Sequence, residues 1–279
     1  MTNIADGKTL SEKIYKEIQK EVEKLKKKPS LAVIITKDNE AGKIYVRNKQ
    51  KACEKTGINS VTIEFDADVC EKDLLNKINE LNNDKSVDAI LVQLPLPEHL
   101  DSEKILNSIS PDKDADGFHF ENAGKMFTGQ IPNTIACTPK GIIRLLDEYN
   151  VNLEGLNALV IGRSNIVGKP VSQLLLQRNA TVTTAHSKTK NLEFYTKNAD
   201  LIVCAVGKAG FLKGDMIKND VIIIDVGISR LDGKLCGDAD FKSVSKKAKL
   251  ITPVPGGVGP MTVAMLIQNT LELAKLHNS

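Results

Sequence analysis

The sequence predicts an α/β fold in two domains, and three observations carry that expectation. Short β-branched runs alternate with longer stretches of helical spacing, which implies parallel strands with helices over their faces. The alternation occurs twice, interrupted by a loop-rich stretch from Pro111 to Pro139. The length of 279 residues also exceeds the usual span of one hydrophobic core.

In the first series, "LAVIIT" (31–36), "SVTIEF" (60–65) and "AILVQL" (89–94) are expected as buried strands. "AGKIYVRNKQKACEKTG" and "EKDLLNKINELNND" between them place apolar residues at helical intervals. "TPKGIIRLLDEYN" then opens a helix, with Thr138 expected as its N-cap and Pro139 in its first turn. The second series has strands at "NALVIG" (157–162), "ATVTTAH" (180–186), "DLIVCAVG" (200–207) and "DVIIIDVG" (220–227). The tail from "MTVAMLIQNTLELAKL" is expected to be helical, immediately after the glycine- and proline-rich "PVPGGVGPM" (253–261).

Composition narrows the function class. With 41% hydrophobic and 26% charged residues the chain has material for a core, and a formal charge of +3 is too small to imply nucleic acid. Tryptophan is absent and aromatic residues make up 4%, so base-stacking platforms are not expected. The cluster of Lys24 with Lys26 to Lys28 is expected as a solvated helix end. Five widely spaced cysteines without a Cys-x-x-Cys pair argue for reduced thiols in the cytoplasm. No run approaches 18 apolar residues and the N-terminus lacks a signal-peptide core, so no membrane partner is expected. His99, His119, His186 and His277 are scattered, and no metal site is expected.

Two glycine turns compete for a nucleotide. A dinucleotide site needs a strand, a tight turn and a helix whose first amides face the pyrophosphate. Residues 157–178 supply that order, with Gly162, Arg163 and Ser164 in the turn and Pro170 at the start of the helix. The Gly162 to Gly168 spacing is not Gly-x-Gly-x-x-Gly, so context carries the assignment. The next strand ends in His186, Ser187 and Lys188 instead of the acid that grips the ribose hydroxyls of NAD, and Arg163 stands ready for a 2′-phosphate. The expected cofactor is therefore NADP. In "PVPGGVGPM" the prolines lack amide hydrogens and bracket the glycines, which suits close approach to a flat ligand or a linker between domains.

A polar cluster lies in the first series. Tyr45 and Lys49 stand at i and i+4 of one helix and so project from one face. Gln93 ends a strand, where ligands of open α/β sheets lie, and "PDKDADGFH" supplies Asp112, Asp114 and Asp116. A lysine held out of water in such a cleft is a candidate acid or base.

Together "IYVRNKQKACEKTGI", "VQLPLP", "PDKDADGFH", "CTPKGI", "IGRSNIVGKP", "TVTTAHSKT" and "ITPVPGGVGPMTVAML" resemble the bifunctional methylenetetrahydrofolate dehydrogenase and methenyltetrahydrofolate cyclohydrolase family, often called FolD. The motifs are collinear over nearly the whole chain. The resemblance implies oxidation of 5,10-methylenetetrahydrofolate by NADP and hydrolysis of the methenyl product to 10-formyltetrahydrofolate, in one-carbon metabolism. It implies Lys49 as the catalytic lysine, Tyr45 stacked on the folate, Gln93 orienting the lysine and Asp116 holding the pterin. Val92 and Leu94 beside Gln93, and Pro255, Gly256, Gly257, Val258 and Gly259, would line the folate side. Gly162, Arg163, Ser164, Ser187 and Ile228 would contact the nucleotide.

The resemblance further implies a catalytic domain of residues 1–138 and 262–279, with the C-terminal helix returning to it, and a Rossmann-like NADP-binding domain of residues 139–261. It implies a homodimer. Many members carry a serine where this chain has Gly42, so a hydroxyl able to cap the helix is missing. Two alternatives stay open. A monofunctional dehydrogenase is argued against by Lys49, Gln93 and Asp116, and a silent NADP-binding regulatory protein predicts no turnover of folate.

Overall fold

The computed structural model describes residues 2–231 and 233–278, with Glu40 and Ala41 described by their main chain. The strands are β1 (Asn3–Ile4), β2 (Ser30–Thr36), β3 (Asn59–Phe65), β4 (Ala89–Val92), β5 (Asn157–Ile161), β6 (Thr181–Ala185), β7 (Leu201–Cys204), β8 (Ile222–Asp225), β9 (Ser229–Leu231), β10 (Lys234–Cys236) and β11 (Leu250–Ile251). The helices are α1 (Gly7–Val22), α2 (Glu40–Thr56), α3 (Glu71–Asn83), α4 (Ser102–Leu106), α5 (Phe120–Phe127), α6 (Cys137–Glu148), α7 (Gly168–Gln177), α8 (Leu192–Asn198), α9 (Phe241–Val244) and α10 (Val258–His277).

The chain divides into two compact units. The lysine unit comprises Lys13–Cys137 and Val263–Ser279, and the glycine-turn unit comprises Met1–Glu12 and Thr138–Thr262. Both are built on parallel sheets, as the repeated strand and helix alternation requires.

In the lysine unit the strand order is β3-β2-β4. Ala32 and Ile34 of β2 and Ile90 and Val92 of β4 form one face of this sheet, packed with Leu74, Ile78 and Leu81 of α3. The intervening Leu31, Val33, Ile35, Ala89 and Leu91 are buried as well, so both faces are covered. The C-terminal part of α10 belongs to this unit. Asn269 donates to the carbonyls of Ala115 and Ile135, and Lys275 pairs with Glu21.

The glycine-turn unit holds a six-stranded sheet of order β1-β11-β8-β7-β5-β6. Leu159 and Ile161, Ile202 and Cys204, Ile223 and Ile251 alternate inward from four of its strands. Between β5 and β7 the strand order reverses direction, which is where ligands of such sheets bind, outside the carboxyl ends.

Several expectations are corrected. Of the segment expected in the first domain, residues 2–12 pack with the nucleotide-type sheet instead, because β1 adds to its edge through Asn3↔Leu250 and Ile4↔Ile251. The helix expected to be capped by Thr138 begins at Cys137, and the Thr138 hydroxyl lies 2.9 Å from that of Thr262 instead. The stretch expected to be loop contains α5, capped by His119, whose ring nitrogen accepts from the Glu121 amide at 3.0 Å. The strand expected over 89–94 ends at Val92. Lys24 and Lys26 to Lys28 follow the end of α1 at Val22, and Lys27 reaches the buried carboxylate of Asp88 at 3.1 Å.

Candidate functional site

Helix α2 carries a lysine on its buried stripe. Val46, Lys49, Cys53 and Thr56 recur at helical spacing and all are buried, Lys49 at 9% exposure. An ammonium on that stripe needs a polar partner. Gln93, just beyond β4, supplies it: Lys49 Nζ donates to Gln93 Oε1 at 2.9 Å. Gln93 Nε2 donates in turn to the Leu94 carbonyl at 2.7 Å, which fixes the amide with its oxygen toward the lysine. Tyr45, one turn before Lys49, is 41% exposed and presents its ring to solvent.

Asp116 stands in the same electrostatic environment. Burial pushes its carboxyl up to about 6 from 3.8, against the opposing pull of Lys49, with Asp114 adding a smaller upward push. The three aspartates of this loop have separate duties. Asp114 is buried and accepts from the amides of Gly117 at 3.0 Å and His119 at 2.8 Å and from Asn122 at 3.1 Å, so it shapes the turn. Asp112 pairs with Ser110 and lies 3.5 Å from His277. Asp116 is the one whose carboxyl Lys49 is seen to pull down.

Val92 and Leu94 point into the core, so main chain is what they offer a ligand there. Asn39 was not anticipated. It caps α2 by accepting from the Gly42 amide at 2.7 Å, and its amide donates to the Pro95 carbonyl at 3.0 Å. One side chain thus ties the helix carrying Lys49 to the loop carrying Gln93. Gly42 is not itself the cap. A Cβ there would come within 2.5 Å of the Asn39 amide, so the missing side chain makes room for the capping one.

The glycine-turn unit builds its candidate site from main chain. Gly162 has φ of 127°, and a Cβ on it would lie 2.3 Å from the Ala205 carbonyl oxygen. A Cβ on Gly168 would lie 2.3 Å from the Gly162 oxygen, so both glycines are dictated by close approach. Ser164 Oγ accepts from the amides of Val167 at 3.2 Å and Gly168 at 3.4 Å, shaping the start of α7. Among the described residues, the amides of Arg163, Ser164, Asn165 and Ile166 donate to no protein acceptor. A recess of about 290 Å³ lies at the ends of β5, β6 and β7, lined by Gly162, Arg163, His186, Ser187, Ala205 and Lys208 among others. Two cations and no carboxylate face it. A glycine cradle with free amides, at the point where strand order reverses, fits a dinucleotide, and the cationic lining fits an additional phosphate.

"PVPGGVGPM" is half loop and half helix. Helix α10 begins at Val258, so Val258, Gly259 and Pro260 form its first turn, and the prolines do not bracket a single loop. Gly256 has φ of 107° and its carbonyl accepts from Lys8 at 2.9 Å, while a Cβ on Gly7 would overlap the Gly257 oxygen at 1.9 Å. The stretch is held against the start of α1. Ile228 is 46% exposed, and a Cβ on Gly259 would lie 3.6 Å from its Cδ1. Pro255 is exposed and Gly257 buried. Among the described residues no group of three or more His, Cys, Asp or Glu is placed to hold a metal.

The fold and sites define a two-unit α/β protein with a dinucleotide-type turn in one unit and a lysine-centred polar cluster in the other. Residues 5–116 match the model of the tetrahydrofolate dehydrogenase/cyclohydrolase catalytic domain, and residues 136–278 match that of the family's NAD(P)-binding domain. The chain belongs to the tetrahydrofolate dehydrogenase/cyclohydrolase family. It is 52% identical over 276 residues to the bifunctional protein FolD of Campylobacter hominis, covering 98% of this chain and 97% of that one. The crystal structure of the bifunctional FolD from Campylobacter jejuni superposes with a TM-score of 0.98 at 48% identity, covering 99% of each chain. FolD of Trypanosoma brucei, solved with NADP and an inhibitor, gives 0.94 at 36% identity over 99% of this chain and 98% of that one.

Proposed function

We propose that this chain oxidises 5,10-methylenetetrahydrofolate with NADP and hydrolyses the resulting 5,10-methenyltetrahydrofolate to 10-formyltetrahydrofolate. The observation that carries the reading is the buried Lys49, hydrogen bonded to an orientation-locked Gln93 and coupled to Asp116, in a chain of this family.

NADP, when bound, supplies the hydride acceptor. Hydride departs from a carbon between two folate nitrogens whose lone pairs stabilise the cation, so the protein's part in this step is positioning. Tyr45 supplies an exposed ring for stacking on the folate, and Asp116 supplies an acceptor that burial leaves poorly solvated for the pterin N–H groups. Hydrolysis makes a different demand. Water attacking the methenyl carbon must lose a proton, and Lys49 is the group placed to move it while Gln93 fixes its nitrogen. Arg163, Lys208, Ser187 and the free amides after Gly162 are the residues that would hold the nucleotide. Pro255 to Gly259 are assigned to substrate contact. No helix of the described residues is long and apolar enough to cross a membrane, and a cytoplasmic homodimer is part of the proposal.

A coupled absorbance assay tests the reading. With methylenetetrahydrofolate and NADP, NADPH and methenyl absorbance rise together and the methenyl signal then decays to formyl product. Persistence of the methenyl signal at the buffer rate would leave a monofunctional dehydrogenase, and absence of NADPH would remove the dehydrogenase as well.

A further inference from the structure

Two carboxylates, those of Asp225 and Asp238, lie buried behind the nucleotide recess and touch no proposed ligand. Asp238 is 0% exposed. Its Oδ2 accepts from the amides of Val206 at 2.6 Å and Gly207 at 3.0 Å, and its Oδ1 accepts from that of Lys208 at 2.8 Å. Three consecutive amides thus converge on one anion, each a charge-assisted bond. These residues form the turn that follows β7, and Val206 and Lys208 line the recess together with Arg163 and Ser187.

Asp225 holds Asp238 in turn. Its carboxylate accepts from the amides of Gly227 at 3.0 Å, Asp238 at 2.9 Å and Ala239 at 2.9 Å. Burial raises its carboxyl to about 6, with the charge of Asp238 contributing. The fit leaves no slack: a Cβ on Gly227 would lie 2.2 Å from Asp238 Oδ1, and one on Gly237 would lie 1.9 Å from Asp225 Oδ2.

We propose that Asp238 is a positioning residue for the nucleotide, acting through the Val206–Lys208 main chain. The turn matters to the ligand in two ways. It fixes where Lys208 enters the recess, and the preceding Ala205 carbonyl is the surface against which Gly162 makes its close approach. A turn released from Asp238 therefore disturbs both a cationic wall and the glycine cradle. The identity of the ligand rests on the functional reading above.

The test is NADP affinity measured by calorimetric titration of the full chain, with the melting temperature recorded in parallel. In Asp238→Asn one oxygen becomes an N–H donor facing amides. The expected result is a rise in Kd of about tenfold or more, from loss of charge-assisted bonds to the turn. It appears in kinetics as a raised KM for NADP with a smaller change in kcat at saturation. Asp200→Asn is the control for stability alone. Asp200 accepts from the Asn157 amide at 2.8 Å at the opposite end of the same sheet, so that variant lowers the melting temperature and leaves the NADP Kd within about twofold. Equal shifts of Kd in both variants, or no shift in Asp238→Asn, overturn the proposal while NADP binding by the wild type keeps the functional reading. A wild-type chain that binds no NADP removes both. Should Asp238→Asn fail to fold, hydrogen exchange on the wild type decides: slow exchange of the Val206, Gly207 and Lys208 amides without NADP supports a prebuilt turn. Fast exchange that slows only when NADP is added overturns it.

Discussion

The two candidate sites are made from different parts of the residue. In the lysine unit the working atoms are side-chain atoms: Lys49 Nζ and Gln93 Oε1, hydrogen bonded to each other, and the Asp116 carboxylate, which feels the charge of Lys49. In the glycine-turn unit they are largely main-chain amides, exposed because Gly162 and Gly168 let the chain fold tightly. The difference predicts different ways to fail. The first site is broken by an isosteric change of one side chain, and the second by a single added methyl group.

The largest effect is expected from Lys49→Met, which keeps the length of the side chain and removes its nitrogen. Cyclohydrolase activity falls about 10²- to 10⁴-fold, while part of the dehydrogenase activity survives, since hydride loss needs no proton transfer. Unchanged hydrolysis of methenyltetrahydrofolate would break the side-chain half of the comparison. Gly162→Ala tests the other half. Its φ of 127° and the 2.3 Å approach to Ala205 admit no Cβ, so a lowered melting temperature and a rise of tenfold or more in the KM for NADP are expected, roughly 1–3 kcal/mol of backbone strain. Normal NADP kinetics in this variant would contradict the close approach. Arg163→Ala is milder, raising the KM for NADP about tenfold and leaving the weaker reaction with NAD unchanged. Equal loss with both nucleotides would place Arg163 away from the 2′-phosphate.

Asp116→Asn separates stability from function in the lysine unit. The carboxyl titrates near 6 in the folded chain against 3.8 ordinarily, so burial of the charged form costs stability. That cost is absent below 3.8 and develops as pH rises through about 6. The variant is therefore expected to be more stable than the wild type at pH 7, by about 1–3 kcal/mol, and nearly equal to it at pH 3.5. Denaturant melts at the two pH values check the sign, and folate affinity falls in the same variant. The smallest effect is expected from Asn39→Ala, about 1 kcal/mol from the lost cap, with a reduced kcat for hydrolysis because α2 loses its tie to the Pro95 loop.

Much of the lysine cluster was legible in order. Tyr45 and Lys49 at i and i+4 share a helix face whatever the fold, and a strand-ending Gln93 falls at a sheet's carboxyl edge by geometry alone. Asn39 escaped notice. Its signal, an asparagine three residues before Gly42, is the spacing of a cap to its third amide, but the helix start was placed too late to expose it. Asp238 offered less. Nothing local marks an aspartate as the acceptor for amides some 30 residues earlier, since β7, β8 and the turns after them meet only in the folded sheet. α5 was hidden by the glycine and proline residues around it, although buried Asn122 and Met126 stand at i and i+4.

The sequence alone determined the alternation of strand and helix, the parallel sheets that follow from it, and the strand, turn and helix that make a nucleotide site, because these depend on periodicity and on residues close in the chain. Periodicity could not decide which unit the chain's ends belong to; the family resemblance put the C-terminal helix with the first domain, where it lies, but put the N-terminal segment there as well. Residues 5–12 match the catalytic-domain model yet lie in the glycine-turn unit, and residues 263–278 match the NAD(P)-binding model yet lie in the lysine unit. That exchange is settled by long-range pairing, with β1 against β11 in one unit and Asn269 against Ala115 and Ile135 in the other. Partners so distant in sequence leave no periodic trace, and only the tertiary structure brings them together.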